Sequence, residues 1–374
     1  MGGQDVFELN VQEVTKMTRT WKIAGINFDH MHMGDLLRMV SEHPNAEIVS
    51  VSDEQPDRMR GVMHALGIPS SRGFGDYRQC LEETEPDIVI LCPATAHHGK
   101  WVERVAPFGV HVFVEKPFAG SLPEADRMIA AMKATGKQMV INWPLRWYPS
   151  HVTAKRLVDE GQIGEVIEVH YYDGNRGPLR HIMDKIEVPE SDPAVKNQAW
   201  WYQKDAGGGS MQDYLGYGVT LGTWFLNGKA PIEVTSTVDA PKGLEVDEHS
   251  ITVCRYETGL SKYETRWGAF TDPWKMQPQP KCGFVLVGTC GTISSYDYEN
   301  TVLMQTREDE RGIVVQVDQL EFPNRNPIEY FLDRLDKDLP AEGPLSPAIA
   351  RIGQQIVDTA RASASQKRTL PLIP

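Results

Sequence analysis

Short apolar runs recur through the first third of the chain: WKIAGI (21–26), AEIVSVSD (46–53), DIVILCP (87–93), VHVFVEKP (110–117) and QMVIN (138–142). Each is rich in β-branched residues and nearly continuous in apolar ones, the pattern of a strand buried on both faces. Between them, helical patterns cover 33–42, 54–66, 76–84, 97–107 and 121–135. The last opens on Ser121-Leu-Pro-Glu124, a capping-box spacing with proline inside the first turn. Strand alternating with helix predicts a parallel, doubly wound α/β domain.

After Arg146 the texture changes. The pattern predicts a helix over 150–160 that ends at Gly161, then a strand over Glu165–Tyr172. Residues 173–204, with Pro178, Pro189 and Pro193, read as loop, and a Gly-rich turn and helix cover 207–226. From 231 to 320 short alternating segments dominate (IEVTSTVDA, HSITVCRYE, LSKYETRWG, GFVLVGTCG, GTISSYDYE, TVLMQT, IVVQVD). They predict an open, mostly antiparallel sheet with one polar face. Helical patterns at 326–337 and 346–363 close the chain. The expected organisation is a polar extension (1–19), an α/β nucleotide-binding domain (20–145) and an α+β domain (146–374) whose C-terminal helix can pack back on the first.

Composition narrows the function classes. The 374 residues are 41% hydrophobic, enough for a sizeable core, and carry a net charge of −13 from 38 Lys+Arg and 51 Asp+Glu. That balance argues against sequence-independent nucleic-acid binding, which rests on phosphate neutralisation, and against an anionic membrane surface. No apolar run approaches the roughly 20 residues of a membrane helix, and MGGQDVFELNVQEVTKMTRT lacks the apolar stretch of a secretory signal. The scattered cysteines (Cys80, Cys92, Cys254, Cys282, Cys290) form no C-x-x-C and fit reduced thiols in a cytoplasmic enzyme.

The first strand runs into GINFDHMH (25–32), where a dinucleotide loop would read G-x-G-x-x-G. Only Gly25 matches. Asn27 and His30 stand where the second and third glycines belong, and asparagine adopts left-handed backbone angles more readily than most residues. The context, after a strand and before a helix, is that of a pyrophosphate-binding turn. Asp53, ending the second strand, suits the ribose hydroxyls of NAD and disfavours the 2′-phosphate of NADP; it equally suits a helix cap. His30 and His32 lack a carboxylate or cysteine set at ligand spacing, so no metal is expected. Glu115-Lys116-Pro117 ends a strand, where ligands bind in doubly wound folds, although the tripeptide alone also suits a surface loop.

Taken together, EKP, the strand ending near Arg146-Trp147-Tyr148-Pro149, Cys92-Pro93 with His97, GQIGEVIEVHYY (161–172), Gly207-Gly208-Gly209 with Asp213 and Tyr217, and ARASASQKRTLPL (360–372) resemble the glucose–fructose oxidoreductase/inositol dehydrogenase (Gfo/Idh/MocA) family over about residues 20–370. The resemblance implies a Rossmann domain holding NAD and hydride exchange with a sugar, cyclitol or glycoside, at a secondary hydroxyl such as C3. It implies a cofactor site built from Gly25, Asn27, Phe28, His30, Asp53, Pro93, His97, Glu115, Lys116 and Asn142. It also implies a homo-oligomer, dimer or tetramer, formed through the C-terminal sheet. A redox-neutral, NAD-retaining glycoside hydrolase uses the same centre and stays open as the alternative. Lys116 takes the place of the family's lysine and Asp213 that of its aspartate; Tyr217 stands where many members carry histidine, and Thr220 where inositol-type members carry a second aspartate.

Oxidising an alcohol requires a proton acceptor beside the departing hydride. Asp213 and Tyr217, at i and i+4, share a helix face, and a nearby Lys116 ammonium would lower the Tyr217 pKa. The expected roles are Tyr217 as acid/base, Lys116 as its electrostatic partner and Asp213 as substrate orienter. Ser210-Met-Gln-Asp213 also spells a capping box, which leaves a purely structural Asp213 open. The expected substrate wall combines Asp213, Arg146, Arg176, Arg180, His181, Trp200 and Trp201, with arginine forks suited to an acidic glycoside; a subunit-interface loop accounts for the same residues.

Overall fold

The computed structural model describes residues 19–181, 185–187 and 193–374, with 179–181 and 185–187 as backbone only. The 1–19 extension lies almost wholly outside the described residues. The first domain runs β1 (Trp21–Ile26), α1 (His32–Glu42), β2 (Ala46–Ser52), α2 (Asp57–Ala65), β3 (Gly73–Phe74), α3 (Tyr77–Thr84), β4 (Ile88–Leu91), α4 (His98–Val105), β5 (His111–Glu115), α5 (Leu122–Thr135) and β6 (Met139–Asn142). All strands pair in parallel in the order β3-β2-β1-β4-β5-β6, so the order reverses between β1 and β4 and opens a crevice at the strand carboxyl ends. Val89, Ile90, Val112, Phe113 and Val114 are fully buried, as continuous apolar strands require.

The second domain runs α6 (Pro149–Asp159), β7 (Val166–Asn175), β8 (Leu179–His181), β9 (Lys185–Glu187), α7 (Pro193–Lys196), a π-helical turn (Met211–Leu215) and α8 (Gly216–Phe225). It continues through β10 (Glu233–Asp239), β11 (His249–Arg255), β12 (Leu260–Trp267), β13 (Gly283–Gly288), β14 (Gly291–Tyr296), β15 (Thr301–Thr306) and β16 (Ile313–Gln316). Last come α9 (Pro327–Asp336), α10 (Pro347–Gln366) and β17 (Leu370–Pro371). The nine-stranded sheet has the order β16-β15-β14-β13-β7-β12-β11-β10-β17. Its β7–β12 pair is parallel, within the mostly antiparallel sheet expected: β7 connects to β10 through the α8 crossover rather than through a hairpin. The 173–204 stretch, read as loop, holds the β8–β9 pair and α7.

One face of this sheet packs Tyr171, Val234, Cys254, Tyr263, Phe284, Ile293 and Val302 beneath α8 and α10. The other is open. Along one register row Thr235, Val253, Lys262, His170, Val285, Ser294, Leu303 and Val314 lie side by side. Val253, Leu303 and Val314 there keep 36%, 47% and 62% exposure.

The C-terminal helices return to the first domain. Ile328, Phe331 and Leu332 of α9 share a core with Ile90 and Phe113. In α10, Asp358 accepts from the Leu122 amide (2.7 Å) and Arg351 pairs with Asp126 (2.6 Å). The Ser121 capping box does not form: Ser121 makes no cap bond, and Glu124 instead accepts from the Gly99 and Gly120 amides at 2.8 Å each. Tertiary amides outcompete the local reciprocal bond because the buried loop offers them no other acceptor.

Gly353 is where α10 meets α8: a Cβ there would stand 2.2 Å from Thr220 Oγ1. Gly353→Ala should therefore overpack this seam and lower stability by about 1–3 kcal/mol, read as a lower urea midpoint at unchanged slope.

Candidate active site

The loop after β1 solves its missing glycines locally. Asn27 takes φ 67°, the left-handed conformation a glycine would supply, and its Oδ1 accepts from the Asp29 amide (2.9 Å). Gly25 cannot be replaced without strain on α1, because a Cβ would lie 3.0 Å from Met33 Sδ and 3.2 Å from Leu37 Cδ1. Asp53 accepts from the Phe28 and Gln55 amides, 2.7 Å each, with Arg58 at 3.9 Å. Burial nevertheless raises its pKa, against those two amides and Arg58. The residue thus caps its own turn at the carboxyl end of β2. Beside this turn lies a groove of about 750 Å³ lined by Phe28, Arg58, Ala94, His97 and Trp200. This left-handed turn, the close strand–helix approach at Gly25 and the acidic β2 terminus fit a dinucleotide.

His30, at the third glycine position, turns inward. Its ring lies 4.8 Å from that of Trp201, and its Nδ1 accepts from the His32 amide (3.1 Å). Glu115, from the end of β5, reaches both histidines: His32 Nδ1 at 2.8 Å and His30 Nε2 at 3.8 Å. The fold therefore supplies the carboxylate that chain spacing lacked, and these three side chains could in principle surround a cation. Accepting at Nδ1 places the His30 proton on Nε2, the wrong tautomer for ligation through that atom. The cluster is a hydrogen-bonded anion site, and Asn142 completes it by donating to Glu115 at 2.7 Å. Burial opposes the Glu115 charge most, yet His32, Lys116 and Asn142 together hold its carboxyl below the usual range.

His97 lies exposed along the groove. Its neighbour His98, passed over in the sequence, is fully buried, its ring nitrogens 3.2 Å from the Pro93 and Phe118 carbonyl oxygens. It ties the end of β4 to the residue after EKP. Burial outweighs both carbonyls and pushes its imidazole down to about 4.

Lys116 meets Asp213 in a buried ion pair across the two domains. Asp213 sits on the π-helical turn, a wide turn often found at functional sites. No capping box forms there: Ser210 is helical and its hydroxyl donates to Thr265, while Asp247 from the facing loop accepts from the Met211 amide (2.9 Å). Tyr217 lies one turn on, its ring centroid 5.2 Å from Lys116 Nζ. The expected lowering of its pKa is reversed. Burial, then the charges of Glu115, Asp213 and Asp173, push the phenol well above its ordinary value.

These three residues line a cavity of about 100 Å³ with Asp173, Asn175, Trp201, Tyr214, Asp297 and Tyr298. Asp173 accepts from Tyr171 Oη (2.8 Å), and Asp297 from His151 Nε2 (2.7 Å). Burial and then the Asp297 charge push the Asp173 carboxyl up to about 7. Asp173 and Asp297 escaped the sequence reading; the one available signal was Asp173 at the carboxyl end of a strand. The expected wall is only partly assembled. Trp201 faces this cavity; Trp200 stacks on it at 3.8 Å, lines the nucleotide groove and donates to the Asp29 carbonyl (3.2 Å). Arg146 is removed from the wall: it is sandwiched between Trp147 (4.7 Å) and Trp224 (4.6 Å), and burial lowers its pKa to about 10. Arg176 also lies on the groove, its Nε donating to the Phe270 carbonyl (3.2 Å) with Asp272 at 3.8 Å. The side chains of Arg180 and His181 lie outside the described residues.

Strand order, the turn after β1 and a lysine at the crevice mouth place the chain among two-domain nicotinamide-dependent oxidoreductases. Within that class it belongs to the Gfo/Idh/MocA family: residues 20–143 match the family's NAD-binding Rossmann fold and 151–294 its C-terminal domain. Among curated proteins it is 34% identical over 136 residues to the scyllo-inositol 2-dehydrogenase (NAD(+)) of Bacillus subtilis, covering 36% of this chain and 38% of that one. It is 25% identical over 190 residues to the dTDP-3,4-didehydro-2,6-dideoxy-alpha-D-glucose 3-reductase of Actinomadura kijaniata, 51% of each chain. The matches thus span about half or less of those relatives. Among solved structures, levoglucosan dehydrogenase in complex with NADH and levoglucosan superposes with TM-score 0.75 at 15% identity, over 95% of this chain and 100% of that one. Aldose-aldose oxidoreductase of Caulobacter crescentus superposes with TM-score 0.76 at 17% identity, over 95% and 100%. At these identities the likeness shows the fold. No helix among the described residues is long and apolar enough to cross a membrane.

The His98 imidazole predicts acid sensitivity with a definite sign. Its folded pKa lies below the unfolded value, so its share of stability is complete above pH 6.5 and is lost as pH falls toward about 4. That loss amounts to about 3 kcal/mol. In His98→Gln, the pH dependence of the urea midpoint between pH 7 and 4 should flatten by that amount.

Proposed function

We propose that this chain is an NAD-dependent oxidoreductase that exchanges hydride with a secondary ring hydroxyl, at C3, of a neutral sugar or glycoside. The observation that carries this reading is the buried Lys116–Asp213 pair on the wall of a small polar cavity at the mouth of the nucleotide crevice. The curated relatives named for inositol and nucleotide-sugar oxidoreduction support the substrate class. The cavity wall argues against the acidic glycoside expected from the arginines. Among its described lining residues Lys116 is the one lysine, with no arginine, against three carboxylates, Asp173, Asp213 and Asp297. Hydroxyls, which donate to carboxylates, suit such a wall; a sulfonate or carboxylate does not.

NAD supplies the hydride acceptor. Lys116 donates a hydrogen bond to the reacting hydroxyl and stabilises its oxygen as the proton leaves. Asp213 keeps that ammonium aimed at the cavity. Tyr217, held as the neutral phenol by burial and surrounding carboxylates, donates a hydrogen bond and does not serve as the base. Trp201 closes the cavity against water with its ring face toward the sugar. Asp53 supports NAD over NADP. An NAD-retaining hydrolase stands as the second reading, favoured by the additional carboxylates Asp173 and Asp297. Five unpaired cysteines support a cytoplasmic location. The open row of Val253, Leu303 and Val314 supports a homodimer or homotetramer built through the C-terminal sheet.

Lys116→Met should lower kcat/KM by about 10³-fold with bound NAD retained. Tyr217→Phe should cost about 10- to 100-fold and leave the shape of the pH–rate profile between pH 6 and 9 unmoved, since no phenolate forms there. A screen of free sugars and aryl glycosides following NADH absorbance and aglycone release supplies the substrate; full activity in Lys116→Met would sink the assignment. Val253→Glu with Leu303→Glu should reduce the mass seen by light scattering to that of one chain, and an unchanged mass would refute the sheet interface.

A further inference from the structure

The cavity beside Lys116 and Asp213 holds about 100 Å³, below the roughly 300–1,000 Å³ that ligand sites usually enclose. It has room for the reacting ring and little else, so whatever is joined to that ring lies at the mouth. Tyr298 lines the cavity and still keeps 45% exposure, which places it there. Its backbone is strained. Asp297 and Tyr298 form the turn between β14 and β15, in which the Glu299 amide donates to the Tyr296 carbonyl at 3.3 Å. Tyr298, the third residue of that turn, takes φ 59°. Turns with a positive φ at this position take glycine or asparagine, because a bulky side chain there crowds its own backbone. Among the described non-glycine residues at positive φ, Tyr298 is the one aromatic. The residue before it is pinned: the Asp297 amide donates to the Cys282 carbonyl at 3.0 Å, and its carboxylate accepts from His151 Nε2 at 2.7 Å. Tyr298 Oη shares a hydrogen bond with Tyr148 Oη at 2.6 Å, and the two rings lie 4.8 Å apart. Tyr148 in turn stacks on His151 at 5.8 Å and 16°. Three rings thus run from the buried His151 to the half-exposed Tyr298. A hairpin turn requires none of this, and strain that the surrounding structure holds in place at a site marks function.

We propose that Tyr298 determines substrate specificity: its ring is the platform on which a second ring, joined to the reacting sugar, lies outside the cavity. This rests on the hydride-transfer reading above and narrows its substrate class from a sugar or glycoside to a two-ring compound. The interior and the mouth divide the work. Asp173, Asp213 and Asp297 inside accept from the hydroxyls of the reacting ring, while the mouth offers an aromatic face. Such a face gains dispersion contact from any flat or C–H-lined surface laid on it. An aryl group and the C–H face of a second sugar share that chemistry. Tyrosine suits the task because it presents a large contact area with few rotatable bonds, and the left-handed turn fixes where that area stands. Tyr148 and His151 are positioning residues: Tyr148 backs the platform, and His151 backs Tyr148 while holding Asp297. The same Asp297-Tyr298 turn therefore sets one carboxylate inside the cavity and one ring at its mouth.

The test compares substrates that differ only outside the cavity. The second-order rate constant of cofactor reduction is read by NADH absorbance in the first turnover of the NAD-loaded protein. The probes are methyl glycosides, 4-nitrophenyl glycosides and disaccharides of glucose and galactose, in both anomers. Wild type should reduce its cofactor about 3- to 10-fold faster with a two-ring probe than with its methyl counterpart. A preference confined to the nitrophenyl series identifies an aryl group as the second ring, and one confined to the disaccharides identifies a second sugar. Tyr298→Asn, which suits the left-handed turn, should bring the two-ring and methyl rates together while the methyl rate stays within about 2-fold of wild type. Tyr298→Phe keeps the ring and should keep the preference. Equal wild-type rates for one-ring and two-ring probes overturn the role of Tyr298 and leave hydride transfer standing, whether or not a variant folds. A preference that survives in Tyr298→Asn, or a variant that slows both series alike, does the same. A wild type that reduces its cofactor with none of these probes and with no free sugar strikes down the hydride-transfer reading, and the platform falls with it.

Discussion

The buried pair between Lys116 and Asp213 is the constraint on which the rest of the site depends. Two charges removed from water cost several kcal/mol unless their geometry is excellent and their remaining atoms are satisfied. Lys116 comes from the end of β5 in one domain and Asp213 from the π-helical turn of the other, so the pair survives only where the domains meet in one arrangement. The supports follow from that requirement. Glu115 beneath the lysine is fixed by His32 and Asn142. His98 binds β4 to the chain after EKP. Asp247 holds the first amide of the turn that presents Asp213, and α9 and α10 return to clamp the first domain.

Charge inside the cavity then decides the chemistry. With its cation committed to Asp213, the site leaves Tyr217 neutral and Asp173 poised near neutrality. A tyrosine next to a lysine is an acid/base pair only where the lysine has no better partner. Here the carboxylate wins because its charge is full and its contact direct, whereas the phenol must pay desolvation to ionise.

Most of the fold was legible because both periodicities are strong. The continuous apolar runs became β1, β2, β4, β5 and β6, and the alternating segments from 231 onward became β10 to β16. The two-residue β3, the parallel β7–β12 pair and the β8–β9 pair were not legible, since pairing partners leave no trace in a period of two. At the site, the Asn27 turn was legible because backbone conformation is a local property, and Lys116 and Asp213 were legible through the family resemblance. Asp173 and Asp297 were not. Each looks like an ordinary polar position in an alternating strand, and only the approach of β7 to the segment after β14 makes them neighbours. The placing of Arg146 and Arg176 was not legible for the converse reason: an arginine fork is recognisable in sequence, but its partners are not.

By itself, then, the amino-acid sequence determined the two-domain architecture and the variant nucleotide turn, because these follow from local periodicity and left-handed backbone preference, while Lys116 and Asp213 were marked out through the family resemblance. The tertiary structure alone decided which charge neutralises which. Proton affinity depends on desolvation and on charges that act through space across the two domains, and no spacing along the chain records that Lys116 faces Asp213, that burial raises the Tyr217 phenol, or that Asp173 shares its wall with Asp297.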